Sequence, residues 1–256
     1  MTENAHATVH GTPGEGARLA GIARAVWPLL AAALLCGYVA GVVAGWQRFG
    51  TAAAGATMVV LAVALLAGAQ LCRRRLEAFF KGAAGEERVG HVLARLPGAY
   101  HVFHSVAVGG GVAMWRGGDL DHVVVGPGGL FVIETKNWQG QVTLRGGELL
   151  LDGQAPRRPP LAQVLAGCLA LRTRLASVGA PDVAPVPIVC LASDRFADGV
   201  TTIGGVTICN ASELPRVLSA PRERGVAPNG GSSPPTVGAV VATDELAACL
   251  ERLRAD

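Results

Sequence analysis

Three residues of this chain have types and spacing suited to hydrolytic chemistry: Asp121, Glu134 and Lys136. They sit in two apolar, β-branched runs, Leu120 to Val125 and Leu130 to Thr135, separated by Gly126-Pro127-Gly128-Gly129. That pattern reads as a β-hairpin. If it closes symmetrically through the four turn residues, Val125 faces Leu130, Asp121 faces Glu134 and Asp119 faces Lys136. Side chains alternate along a strand, so Asp121, Glu134 and Lys136 share one face. Directly opposed Cβ atoms lie ~4.5–5.5 Å apart. Two carboxylates that close repel each other, so one takes up a proton or a cation sits between them. Mg²⁺ suits oxygen ligands and keeps several waters. Lys136, at the edge of the same spot, could orient such a water and favour its deprotonation. A one-residue register shift would put the carboxylates on opposite faces. On the residues alone, a solvated charge cluster at strand ends and a cation site both stay open.

Other chemistries find no support. No G-x-x-x-x-G-K-[ST] is present, and the Gly-Pro-Gly-Gly run has no lysine behind it. No G-x-S-x-G occurs. The six cysteines lack zinc-ligand spacing and read as reduced thiols. His122 faces away from the proposed site in this register. The net charge of +3 permits nucleic-acid binding without arguing for it.

The elements around the hairpin alternate between helix and strand. Residues 86–96 carry Val89, Leu93 and Leu96 at helical spacing. A β-rich run over 100–108 follows, then the hairpin, then a second hairpin over 141–144 and 148–151. Residues 161–178 form a helix with Leu161, Val164, Leu165, Cys168, Leu171 and Leu175 on one face. Strands follow at 186–191 and 206–209, with a helix over 211–218 capped by Asn210. Residues 221–235 are rich in Pro, Gly and Ser and read as a linker. A last helix covers 243–254. The soluble domain is thus expected over 73–219, with a linker and short helix over 220–256.

Half of the chain is hydrophobic, and the excess lies near the front. Residues 25–46 and 52–72 carry no charge. About 20 helical residues cross the ~30 Å hydrocarbon core, so residues 25–72 are expected to form a two-helix transmembrane hairpin. Trp27 and Trp46 bracket the first run, and Pro28 falls in its first turn. Gly37, Gly41 and Gly45 make a side-chain-free stripe that permits close helix packing. Arg73, Arg74, Arg75 and Lys81 follow the second run, Arg18 and Arg24 precede the first, and Arg48 lies in the loop. The positive-inside rule then puts both termini in the cytoplasm, at the plasma membrane. Residues 1–24 are polar and Gly-rich and are expected to be disordered.

The segment from about Gly82 to Leu218 resembles the nuclease-related domain (NERD) family, within the PD-(D/E)xK nuclease superfamily. The likeness rests on Gly85-Glu86-x-x-Val89 and on the central hairpin from Leu120 to Asn137. It extends to Gly140 and to Pro160-Leu161-x-Gln163. The chain departs from the family pattern at Pro159, where the family usually has Asn. The resemblance implies an α/β fold with a restriction-endonuclease-like core, a mixed sheet flanked by helices. It also implies that Asp121, Glu134 and the Thr135 carbonyl ligate a metal. Glu86 is implied as a further ligand or water-positioner, Lys136 as the group acting on the attacking water, and Gln163 as support from the second helix.

The expected activity is therefore Mg²⁺- or Mn²⁺-dependent hydrolysis of phosphodiester bonds, with DNA as the partner, at the cytoplasmic face of the membrane. Arg116, Arg157 and Arg158 are candidate contacts for the strand. The alternative is a catalytically idle module that tethers nucleic acid or a protein partner to the membrane.

Overall fold

The computed structural model describes residues 6–45, 51–109, 119–220 and 243–255. The chain divides into two compact units, one of residues 17–83 and one of residues 1–16 with 84–256.

The first unit is built from helices α1 (Glu15–Gly45) and α2 (Thr51–Leu93), both of which run past its limits. Pro28, Leu29 and Ala32 of α1 and Leu65, Gly68 and Leu71 of α2 line a common apolar crevice, so the helices pack side by side. Large apolar side chains point outward: Trp27 is 74% exposed, Leu34 76% and Leu66 68%. Within α2, Gly55–Leu93 is long and apolar enough to cross a membrane, with mean hydropathy 2.0; α1 has the shorter apolar stretch Val26–Val42. Among the described residues, then, one helix meets the length criterion where the sequence suggested two. Trp46 and loop residues 47–50 lie outside the described residues. Pro28 sits inside α1 rather than in its first turn, because the helix starts ten residues before the apolar run. A Cβ added at Gly37 or Gly41 would meet nothing within 4 Å, so these glycines make no close α1–α2 contact.

The second unit is an α/β layer structure. A seven-stranded mixed sheet has the order β1-β2-β3-β4-β7-β9-β8. Its strands are β1 (Thr8–His10), β2 (His101–Val106), β3 (Leu120–Gly126), β4 (Gly129–Lys136), β7 (Val186–Leu191), β8 (Val200–Ile203) and β9 (Val206–Asn210). The hairpin of β5 (Val142–Arg145) and β6 (Glu148–Leu151) stands apart. The β3–β4 pair is antiparallel, while β4 runs parallel to β7 and β7 to β9. The crossover from β4 to β7 includes α3 (Pro160–Ser177), as parallel neighbours require.

Alternation along β3 and β4 sorts their side chains to two cores. Val123, Val125, Leu130 and Val132 join Val164, Leu171 and Leu175 of α3. Leu246, Leu250 and Leu253 of α5 (Thr243–Ala255) fill the same layer. Val124, Phe131 and Ile133 pack with Val89 and Leu93 of α2 on the other face. Each such aliphatic side chain, fully buried, contributes ~1.5–3 kcal/mol.

Several expectations change. Residues 6–24 are not a disordered tail: Thr8–His10 pairs in parallel with His101–Phe103, and α1 begins at Glu15. A three-residue strand carries too little pattern to be read, because its pairing is purely long-range. The expected boundary at residue 73 falls inside α2, which continues unbroken to Leu93. No proline interrupts residues 51–93, and Arg, Leu, Ala, Glu and Lys are good helix formers. Asn210 does not cap a helix. Its amide instead pairs with both backbone groups of Phe196, at 3.1 and 2.9 Å. The turn behind it is a 3₁₀ turn, Ala211–Glu213, that leads into α4 (Leu214–Ser219). The linker over 221–235 lies outside the described residues.

Candidate active site

The β3–β4 turn closes as Gly126↔Gly129 and Val125↔Leu130, and the register runs on to His122↔Ile133. The next pair outward is Asp121 and Glu134, with Lys136 two residues further along the same face. Gly129 takes φ of +116°, which suits the turn only because it lacks a side chain. The Thr135 main-chain N–H donates to Asp121 Oδ2 at 2.7 Å, and this fixes one carboxylate oxygen against the neighbouring strand. Lys136 Nζ lies 2.6 Å from Glu134 Oε1, and both side chains are largely buried.

Glu86 reaches the same place from α2. Gly85 makes this possible: a Cβ there would lie 2.5 Å from the Asn137 Cβ, so only glycine lets the helix come this close to the end of β4. Burial raises the Glu86 carboxyl to about 7, and the Glu134 carboxylate adds to the rise. The Gly14 main-chain N–H and Lys136 oppose it. Burial also pushes Asp121 well above the ordinary carboxylate range, helped by Glu134 and Glu86 and opposed by Lys136 and the Thr135 N–H. Three acids therefore feel one another, with one lysine ammonium among them.

Among the described residues, no group of three or more His, Cys, Asp or Glu side chains is gathered tightly enough to hold a metal ion alone. The donor set at issue is smaller: two carboxylates, a main-chain carbonyl and retained waters. Its chemistry fits a hard divalent cation. The crowding that lifts Glu86 and Asp121 is the condition a cation relieves.

Gln163 sits in the first turn of α3. Its Oε1 is buried and meets no donor, nor does the buried Thr135 Oγ1. Pro159 precedes α3 without a side-chain cap, as its substitution for Asn requires. Arg157 and Arg158 are exposed, and Arg116 lies outside the described residues. His122 is fully buried on the opposite face, its Nδ1 2.7 Å from His104 Nδ1. Burial, with His104 beside it, holds its pKa well below the ordinary value.

Sequence reasoning missed the N-terminal contribution. Asp119, expected opposite Lys136, lies beside Gly16: a Cβ at Gly16 would fall 2.7 Å from Asp119 Oδ2. Burial raises the Asp119 carboxyl, and its charge in turn raises Glu86. Nothing in the Gly-rich N-terminal sequence signalled this.

Residues 81–192 match the family model described as the nuclease-related domain. The chain carries a nuclease-related domain. The match spans less than half of the chain and contains Glu86, Asp121, Glu134, Lys136 and Gln163. An uncharacterized protein of Bacillus anthracis is 40% identical over 67 residues, covering 25% of this chain and 29% of that protein. No solved structure gives a significant match. The mixed α/β sheet flanked by helices is consistent with a nuclease-like core. Strand β1 and helix α5 lie outside the matched stretch, yet both complete the unit that holds the nuclease-related domain.

The glycine that admits Glu86 gives a direct check on this geometry. Gly85→Ala forces α2 away from Asn137 and drags the Glu86 carboxylate with it. Divalent-metal affinity, measured by calorimetry, should fall about tenfold or more, since misplacement of about 1 Å costs ~10²-fold in positioned chemistry. Unchanged affinity would mean that the helix relaxes without moving Glu86.

Proposed function

We propose that this nuclease-related domain is a divalent-metal-dependent phosphodiesterase that hydrolyses DNA, anchored by residues 25–72 with both termini on the cytoplasmic side. The observation that carries the reading is the register that brings Asp121, Glu134 and Lys136 to one spot against Glu86. A strand-end charge cluster that served only solubility would be solvated. Here Glu86 is buried and Glu134 largely so.

Asp121, Glu134 and the Thr135 carbonyl would hold Mg²⁺ or Mn²⁺, with Glu86 as a further carboxylate. The ion supplies charge stabilisation at the phosphoryl group and acidifies a water. The protein does the rest. The Thr135 N–H holds the Asp121 carboxylate in place. Lys136 is poised to orient the attacking water and to balance the charge that develops on the phosphate. Gln163 offers a buried amide oxygen from α3 to the same face. Arg157 and Arg158 are exposed cations that a nucleic-acid backbone can meet.

The test is cleavage by the full chain in detergent or nanodiscs. Labelled DNA and RNA, linear and circular, are incubated with Mg²⁺, Mn²⁺ or EDTA. Metal-dependent cleavage of DNA supports the reading, and its absence with every metal ends it. A second reading then remains, an idle module that binds nucleic acid or a partner. The Lys136–Glu134 contact at 2.6 Å favours it, since the ammonium already neutralises one carboxylate.

Anchoring rests on the outward apolar side chains of α1 and α2 and on the basic run Arg73–Arg74–Arg75 that follows the second apolar stretch. The protein should stay in the membrane pellet after extraction with alkaline carbonate. Tags at either end should resist protease added outside intact cells and be cut after lysis. Release by carbonate would rule out the spanning helices.

A further inference from the structure

The turn that precedes α1 is built against Glu86. Pro13 is packed on α2 one helical turn beyond that residue: a Cβ at Gly90 would sit 2.8 Å from both the Cβ and Cγ of Pro13, leaving no room for any side chain but hydrogen. The next residue, Gly14, is buried and has φ of +77°, a conformation glycine takes without strain. Its main-chain N–H serves the Glu86 carboxylate. Gly16 then bonds through its N–H to Ser105 Oγ at 3.4 Å and lies against Asp119. Ser105 itself has φ of +51°, so β2 ends in a strained residue where this turn is fastened. The segment is tied to the sheet from its other side as well, because Ala7 N–H donates to Leu96 carbonyl at 2.8 Å and Thr8 N–H to Tyr100 carbonyl at 3.0 Å. All these residues lie outside the stretch that matches the nuclease-related domain.

We infer that Gly14 is a positioning residue for Glu86, and that residues 7–16 form an integral wall of the candidate active site. The inference rests on the nuclease reading for its consequence but not for its geometry. Glu86 stands on a helix with rotamer freedom of its own. A buried amide aimed at its carboxylate selects one orientation, the one that faces Asp121 and Glu134. The left-handed backbone at Gly14 is what aims the amide.

The experiment uses the full chain in three arms. In the first, hydrogen exchange at the Gly14 amide is read with and without Glu86→Ala. Loss of the acceptor should speed exchange at Gly14 at least about tenfold and leave Leu93 unchanged. Equal exchange at Gly14 overturns the inference whether or not the protein is an enzyme. In the second, Mn²⁺ affinity is measured for Gly14→Pro, which has no N–H and cannot adopt positive φ, and for Gly14→Asn, which retains both. Proline should weaken binding roughly tenfold or more, as expected for loss of a hydrogen bond to a charged group, and asparagine should recover most of that loss. The third arm combines Gly14→Pro with Glu86→Ala. If Gly14 acts through Glu86, the double variant is no worse than Glu86→Ala, whereas multiplied losses refute the link. A wild-type protein that neither binds Mn²⁺ nor cleaves DNA defeats the nuclease reading, while the exchange arm still decides the Gly14–Glu86 contact.

Discussion

Glu134→Gln is expected to leave no more than about a thousandth of the wild-type cleavage rate in Mg²⁺, with DNA binding retained. The substitution keeps shape and volume and removes one charge from the convergence of Asp121, Glu134 and Glu86. A metal ligand contributes several kcal/mol of transition-state stabilisation, and each 1.36 kcal/mol is tenfold in rate, so about 10³-fold is the scale of the loss. Asp121→Asn should act alike, since its Oδ2 is held by the Thr135 N–H at 2.7 Å and cannot swing away to be replaced by water. Lys136→Ala should cost about 10²–10³-fold, as removal of one positioned donor does elsewhere. Single-turnover cleavage of end-labelled DNA at saturating enzyme separates these chemical losses from binding. A Glu134→Gln protein that cuts at the wild-type rate would move the reaction away from this hairpin.

The second large effect is on stability. In EDTA the protein should become less stable as pH rises from about 5 to 8. The sign follows from linkage. Glu86 titrates near 7 in the folded protein against 4.5 for an ordinary glutamate, because burial and then Glu134 disfavour its charge. The native state therefore binds the proton more tightly than the unfolded chain. Its contribution is fully present below about 4.5 and is lost as pH climbs through about 7. The shift corresponds to a penalty on the order of 3 kcal/mol above pH 7. For a chain of this size the melting temperature should drop roughly 5–10 °C across that window. Asp121 is displaced in the same direction and adds to the fall. Glu86→Gln should flatten the profile and melt higher than wild type at pH 8. Mg²⁺ should restore stability at pH 8 far more than at pH 5, where protons already occupy the carboxylates. A melting temperature that holds steady with pH in EDTA would show that the acids do not crowd one another.

Much of this site could be read from the sequence because a hairpin obeys simple arithmetic. Four turn residues between two apolar runs fix which side chains face each other, and the observed Val125↔Leu130 pairing follows that count. Helix α3 was equally readable, since Val164, Cys168, Leu171 and Leu175 recur at helical spacing and all are buried. The hidden parts depend on contacts between distant residues. Thr8–His10 and Val200–Ile203 are too short to show a period, and become strands only because β2 and β9 offer a partner edge. The approach of Gly85 to Asn137 and the bond from Gly14 to Glu86 likewise exist only once α2 and the sheet are packed. Asn210 misled because a cap and a bridge to Phe196 call for the same amide. Helix α2 misled because a change of composition, from apolar to arginine-rich, is not a change of conformation.

The parallel pairing of β1 with β2 has a consequence for how the protein is made. Thr8 leaves the ribosome about ninety residues ahead of His101, the residue it lies beside in the finished sheet. Between the two come the long apolar helices, whose placement occupies the translation machinery in the meantime. Domains usually close as they emerge, from the amino end onward. Here the first strand waits as an unpaired guest until the helices are behind it. The enclosure around Glu86 can be completed only after that passage is over.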